Sequence, residues 1–156
     1  ITGNTANSRG GGVYIDNQCS PTLTNVTISG NTASNGGGMY LNGSSSTLTN
    51  VTFSGNSAIF SGGGMFLISS SPTLTDVTFS GNTANGDGGG MILYGYCPAT
   101  LTNVTFSGNT ANINGGGIYL TILSQPILKN SILWGNSPQE IYFDESDSSY
   151  SISITY

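Results

Sequence analysis

Apolar residues in this chain alternate with threonine, serine and asparagine over short runs, and the runs return at a fixed interval. In Leu48-Thr49-Asn50-Val51-Thr52-Phe53 the alternation slips by one residue between Leu48 and Val51. Alternation of period two predicts a half-buried strand, and the slip predicts a corner at Thr49-Asn50. A second strand follows at Met65-Phe66-Leu67, with Met65 and Leu67 pointing inward and Phe66 outward. The same residue types recur coil after coil. One inward column reads Val13, Met39, Met65, Met91, Ile118, Ile141, and its neighbour reads Ile15, Leu41, Leu67, Leu93, Leu120, Phe143. Others are Leu23, Leu48, Leu74, Leu101, Leu128; Val26, Val51, Val77, Val104 and Ile132 or its neighbour; and Ile28, Phe53, Phe79, Phe106. Ala6, Ala33, Ala58, Ala84 and Ala111 mark a narrow site. No helical period of 3.6 occurs, so the chain is read as all-β.

Punctuation fixes the architecture. The dipeptide Gly-Asn stands at Gly3, Gly30, Gly55, Gly81, Gly108 and Gly135, at intervals of 27, 25, 26, 27 and 27 residues. The first five copies each lead into a triple glycine: Gly10–Gly12, Gly36–Gly38, Gly62–Gly64, Gly88–Gly90 and Gly115–Gly117. A unit of this length cannot bury its own apolar face and must stack on its neighbours. The expectation is a parallel β-helix of about five to six coils, 25–27 residues each, spanning residues 1–156 as a single segment. Ile1 falls inside a repeat, so the chain is read as part of something longer. Asn25, Asn50, Asp76, Asn103 and Asn130 recur at the corner. Asparagine tolerates left-handed backbone and its amide bonds to the same amide one coil above, so these residues are expected to form a ladder turned into the stack.

Composition removes several function classes. Only Arg9 and Lys129 are basic, against seven carboxylates, for a net charge of −5. Nucleic-acid binding needs clustered cations to displace counterions and is excluded. No apolar run approaches the ~20 residues of a membrane span, so membrane insertion by this segment is not expected. Cys19 and Cys97 share a repeat position three coils apart, ~14 Å at the ~4.8 Å rise between strands, too far to bridge.

The units Phe53-Ser54-Gly55-Asn56, Phe79-Ser80-Gly81-Asn82 and Phe106-Ser107-Gly108-Asn109 resemble the Phe-x-x-Asn signature of polymorphic outer-membrane-protein repeats. Gly62-Gly63-Gly64-Met65 and its equivalents are similar to that family's Gly-Gly-Ala-Ile element, with glycine in place of alanine. The tail Asn130–Pro138 resembles the last coils of secreted bacterial β-helix repeat proteins. The resemblance implies a right-handed β-helix and an extracellular or cell-surface location. It does not choose among adhesins, structural proteins and polysaccharide-degrading enzymes.

Histidine is absent, which removes the commonest acid–base and triad chemistry. Asp16, Asp76 and Asp87 lie one per coil at different repeat positions, so no catalytic set assembles, and no cofactor is expected. The acidic stretch Glu140, Asp144, Glu145, Asp147 offers oxygen ligands without the spacing of a calcium loop, and is read as solvated loop with no metal site. Two outward arrays remain. Tyr14, Tyr40, Phe66, Tyr119 and Tyr142, interrupted by Ile92, form a candidate binding stripe for carbohydrate or protein, or a ladder that stabilises the fold. Thr22/Thr24, Thr47/Thr49, Thr73/Thr75 and Thr100/Thr102 form a regular array that resembles the ice-binding surface of some antifreeze proteins, although threonine is also simply a good outward strand residue. The Asn-x-Thr sequons at Asn25, Asn50 and Asn103 follow from the repeat.

These readings converge on a non-catalytic structural or adhesive scaffold of a secreted or cell-surface protein. The alternatives are a carbohydrate- or ice-binding module, or the scaffold part of a polysaccharide-active enzyme. The alternating Ser151–Tyr156 end, with no helix over either terminal coil, leads to an expectation of end-to-end filaments or of cover by other parts of the chain.

Overall fold

The computed structural model describes residues 1–121, 123–144 and 151–156. Nineteen strands and no helix occur among them, and every strand pairing is parallel. The inward aliphatic columns form a six-stranded sheet from Val13–Ile15, Met39–Asn42, Met65–Ile68, Met91–Tyr94, Ile118–Leu120 and Ile141–Phe143. Its register is Val13↔Met39↔Met65↔Met91↔Ile118↔Ile141. Six passes of one face make about five turns of a parallel β-helix.

A nine-stranded sheet carries the Thr-Leu-Thr and Thr-Phe-Ser runs. Strands Thr22–Ser29 and Thr47–Ser54 pass round the corner without a break, while later coils divide into two three-residue strands there. The corner residues Asn25, Asn50, Asp76, Asn103 and Asn130 all have φ between +48° and +57°, the left-handed turn that asparagine and aspartate tolerate. A four-stranded sheet of two-residue strands holds the alanine column Ala33↔Ala58↔Ala84↔Ala111.

The interior is one continuous cluster of stacked apolar columns, with a column of phenylalanines among them. Phe53, Phe79 and Phe106 are fully buried and nearly parallel, with centroids 4.7 and 4.6 Å apart. A face-to-face sandwich is not the preferred geometry of an aromatic pair. The strand spacing of ~4.8 Å imposes it here.

The valine column ends differently from the alternation. Ser131, not Ile132, follows Val104, and Val104 N–H donates to Ser131 Oγ at 3.2 Å. Ile132 pairs with Thr105, Leu133 with Phe106 and Trp134 with Ser107. Leu133 therefore continues the phenylalanine column, and Ile132 and Trp134 face solvent at 60% and 75% exposure.

Candidate functional site

The corner ladder lies outside. Asn25, Asn50, Asp76, Asn103 and Asn130 are exposed, contrary to the inward orientation expected from the repeat. Asn50 Nδ2 donates to Asn25 Oδ1 at 2.7 Å, and Asn103 Nδ2 to Asp76 Oδ1 at 2.9 Å. Left-handed geometry at a convex corner swings the side chain away from the core, which is why aspartate is accepted at position 76.

The buried ladder is built from the asparagine of Gly-Asn. Asn31, Asn56, Asn82 and Asn109 are wholly buried. Each Oδ1 accepts two hydrogen bonds from the asparagine one coil earlier. Asn56 N–H and Nδ2 reach Asn82 Oδ1 at 3.0 and 2.9 Å, and Asn82 N–H and Nδ2 reach Asn109 Oδ1 at 3.0 and 2.9 Å. The second Nδ2 hydrogen goes to a main-chain carbonyl, Ile28 for Asn56 and Phe53 for Asn82. The chain runs from Asn4 to Asn136, where the amide donors meet both carboxylate oxygens of Glu140. The preceding glycine, at φ near +60° with open space where a Cβ would stand, supplies the turn that aims each asparagine inward. The signal in the sequence was the constancy of the dipeptide: all six copies keep asparagine.

The aromatic stripe is not an open face. Tyr40, Phe66 and Tyr119 are only 2%, 9% and 9% exposed, and with Ile92 they form a second small core. Their ring faces are turned on one another: Tyr14–Tyr40 at 5.5 Å, Tyr40–Phe66 at 5.2 Å and Tyr119–Tyr142 at 5.4 Å. The backbone of the preceding link closes over them. A Cβ built on Gly62 would lie 2.9 Å from Phe66 Cβ and 3.0 Å from Ile92. Arg9 sets its guanidinium 5.1 Å from the centre of the Tyr40 ring. Burial raises the hydroxyl pKa of Tyr40, and burial, reinforced by Asp87 and Asp144, raises that of Tyr119 well above the ordinary range. Only Tyr14, at 46% exposure, presents itself to solvent, while Tyr142 is half-buried.

At that exposed end Tyr14 Oη donates to Asp16 Oδ2 at 2.8 Å, and Asn42 Nδ2 donates to Asp16 Oδ1 at 2.9 Å. These bonds, with the Asn17 N–H and nearby Arg9, hold the Asp16 carboxyl below its ordinary pKa. An open depression of about 260 Å³ is lined by Asp16, Asn17, Gln18, Asn42 and Gly43. Asn17 and Gln18 both have positive φ, 57° and 63°.

Of the other carboxylates, Asp76 stays at its corner. Asp87 and Asp144, distant in sequence, both act on Tyr119, and Tyr119 Oη donates to Asp144 Oδ2 at 3.2 Å. Burial raises the Asp87 pKa, and its Oδ1 is buried without a hydrogen-bond partner. Glu145 and Asp147 lie outside the described residues. Among the described residues no three His, Cys, Asp or Glu side chains come together as a metal site. The threonine pairs are in register, Thr22↔Thr47↔Thr73↔Thr100 and Thr24↔Thr49↔Thr75↔Thr102, before Ile127 and Lys129 interrupt them. Both thiols are free, Cys19 exposed and Cys97 buried.

A family model described as right handed beta helix region matches residues 1–155. No curated protein and no solved structure matches the chain significantly.

Proposed function

We propose that this chain, which belongs to the right-handed β-helix family, is a non-catalytic scaffold of a secreted or cell-surface protein. The observation that carries the reading is the fate of its recurrent polar residues. The Gly-Asn asparagines, which give the sequence its most regular feature, are spent on holding one coil to the next. The stripe that suggested a ligand platform packs into a second core. Threonine and serine, with almost no charge, line the outer side of the nine-stranded sheet through the first four coils. Such an exterior suits a stiff spacer that displays whatever it is joined to. The test is turnover: residues 1–156 are incubated with polyuronates and neutral polysaccharides, with and without Ca²⁺, while unsaturated products and reducing ends are measured. No product is expected. Sustained turnover overturns the scaffold reading in favour of an enzyme.

A carbohydrate-binding reading is favoured only at the Tyr14 end. An exposed ring there adjoins a carboxylate and three side-chain amides, donors and acceptors of the kind that pair with sugar hydroxyls. Glycan-array binding that is lost with Tyr14→Ala and kept with Thr75→Ala supports it. Binding unaffected by Tyr14→Ala removes it.

A further inference from the structure

The asparagine ladder has a direction. Along the ladder every asparagine from Asn4 to Asn109 donates to the next one toward the carboxyl end, and each from Asn31 on accepts from the one before. At Asn136 the next acceptor is no longer an asparagine. Asn136 N–H donates to Glu140 Oε1 at 3.2 Å and Asn136 Nδ2 donates to Glu140 Oε2. The carboxylate stands in for the amide oxygen of a following coil.

Gln139 and Glu140 also occupy two glycine positions. Gly90 N–H and Met91 N–H bond to the carbonyls of Gly116 and Gly117, and Gly117 N–H and Ile118 N–H bond in the same way to Gln139 and Glu140. In earlier coils the third glycine has no room for a side chain. A Cβ built on Gly12, Gly38, Gly64 or Gly90 would sit 2.5–2.8 Å from the carbonyl oxygen of the next coil's third glycine. Glu140 has a Cβ at that position and points its carboxylate back into the ladder. The link from Asn136 to Ile141 holds four residues, where the link from Asn109 to Ile118 holds eight. At the other end Asn4 uses both its N–H and its Nδ2 as donors, and its Oδ1 has no donor among the described residues.

We propose that the two ends of the rod are unequal: Gln139 and Glu140 close the carboxyl end to a further Gly-Asn coil, and only the amino end fits one. The partner that fits is a β-helix coil whose last asparagine keeps its N–H and Nδ2 donors free to reach Asn4 Oδ1. A second copy of this chain does not qualify, because its own donors are already held by Glu140. Head-to-tail filaments, the expectation drawn from the bare terminal strands, are thereby opposed by two side chains. This holds whether or not the scaffold reading does.

The test measures self-association of residues 1–156 by sedimentation velocity and light scattering over a rising concentration series. The wild type is expected to stay monomeric. A variant in which residues 137–140 are replaced by the sequence of residues 110–117, restoring an ordinary glycine link, is expected to form concentration-dependent linear oligomers. Adding Asn4→Ala to that variant should return it to monomer, which aggregation of a misfolded chain would not do. If the longer link prevents folding, judged by far-ultraviolet circular dichroism, the double substitution Gln139→Gly and Glu140→Gly is read instead. End-to-end oligomers of the wild type overturn the proposal. So does an opened, folded variant that stays monomeric, or assembly indifferent to Asn4→Ala.

Discussion

Replacing Asn82 by alanine removes one rung of the buried ladder, and the structure sets the size of the loss. The Asn82 side chain makes four hydrogen bonds: Oδ1 accepts from Asn56 N–H and Nδ2, and Nδ2 donates to Asn109 Oδ1 and Phe53 O. Asn109 Oδ1 keeps the Asn82 main-chain N–H, and Asn56 Nδ2 keeps its bond to Ile28 O. Two donors on Asn56 are left buried and unpaired, its N–H and one Nδ2 hydrogen. Each such group costs about 1–3 kcal/mol, so Asn82→Ala is expected to cost about 4 kcal/mol. The comparison is Asn103→Ala at the exposed corner. It loses one solvent-accessible bond, to Asp76, and places alanine at a φ of 55°, for about 1–2 kcal/mol in all. At about 2–4 °C per kcal/mol for a chain of this size, the first lowers Tm by roughly 10 °C and the second by a few degrees. Thermal and urea denaturation followed by circular dichroism measures both. Equal losses, or a larger loss for Asn103→Ala, would refute the assignment of the spine to the Gly-Asn column.

Three further outcomes follow from the same geometry. Gly90→Ala puts a Cβ 2.6 Å from the Gly117 carbonyl oxygen, backbone that cannot move without parting two coils, and should destabilise more than Gly81→Ala. At Gly81 only the left-handed φ of 60° is strained, at about 1–2 kcal/mol; urea midpoints of the two variants decide. Burial raises the Asp87 pKa in the folded state above its unfolded value, so the native state binds more protons and this group's contribution falls as pH rises through the ordinary aspartate range near 4. Asp87→Asn should flatten that part of the stability–pH curve between pH 3 and 7, and an unchanged slope contradicts it. A thiol reagent should label Cys19 alone in the native protein and Cys97 only after denaturation, since Cys97 is buried and its thiol pKa is raised by that burial; two fast-reacting native thiols would contradict the packing of Cys97, whose Sγ accepts from Ser70 N–H and donates to Tyr94 O.

The coils were legible in the sequence because burial alternates with period two, and the repeat shows the same inward residue five times over. Met39, Met65 and Met91, or Leu48, Leu74 and Leu101, could hardly face elsewhere. Which of two recurring asparagines turns inward was not legible, since both follow or adopt left-handed backbone and both can bond to a copy of themselves. Aspartate at position 76 was the available hint, because a carboxylate cannot donate along a buried ladder, whereas position 82 and its equivalents never vary. The stripe misled for another reason. Alternation places Tyr40 and Phe66 on the outer face correctly, but it carries no sign of their cover: the first glycine of each triple stands against the outward residue four positions on, Gly36 at Tyr40 and Gly62 at Phe66. At the carboxyl end, the apolar run Ile132-Leu133-Trp134 masked the phase that the corner at Asn130 already set: Ser131 follows Asn130 as Val104 follows Asn103, which turns Leu133 inward. Glu140 was visible only as one acid in a charged tail; its place in the ladder depends on the shortened link that brings it to the third-glycine position.

Side-chain amide hydrogen exchange, resolved by nuclear magnetic resonance, tests the central claim most directly: the asparagines of Gly-Asn are the internal spine of the rod. The Nδ2 protons of Asn56, Asn82 and Asn109 lie in a continuous, fully buried chain of bonds and should exchange only with coil opening, orders of magnitude more slowly than those of Asn25, Asn50 and Asn103. Comparable exchange in the two columns, or protection of the corner asparagines instead, would contradict the account.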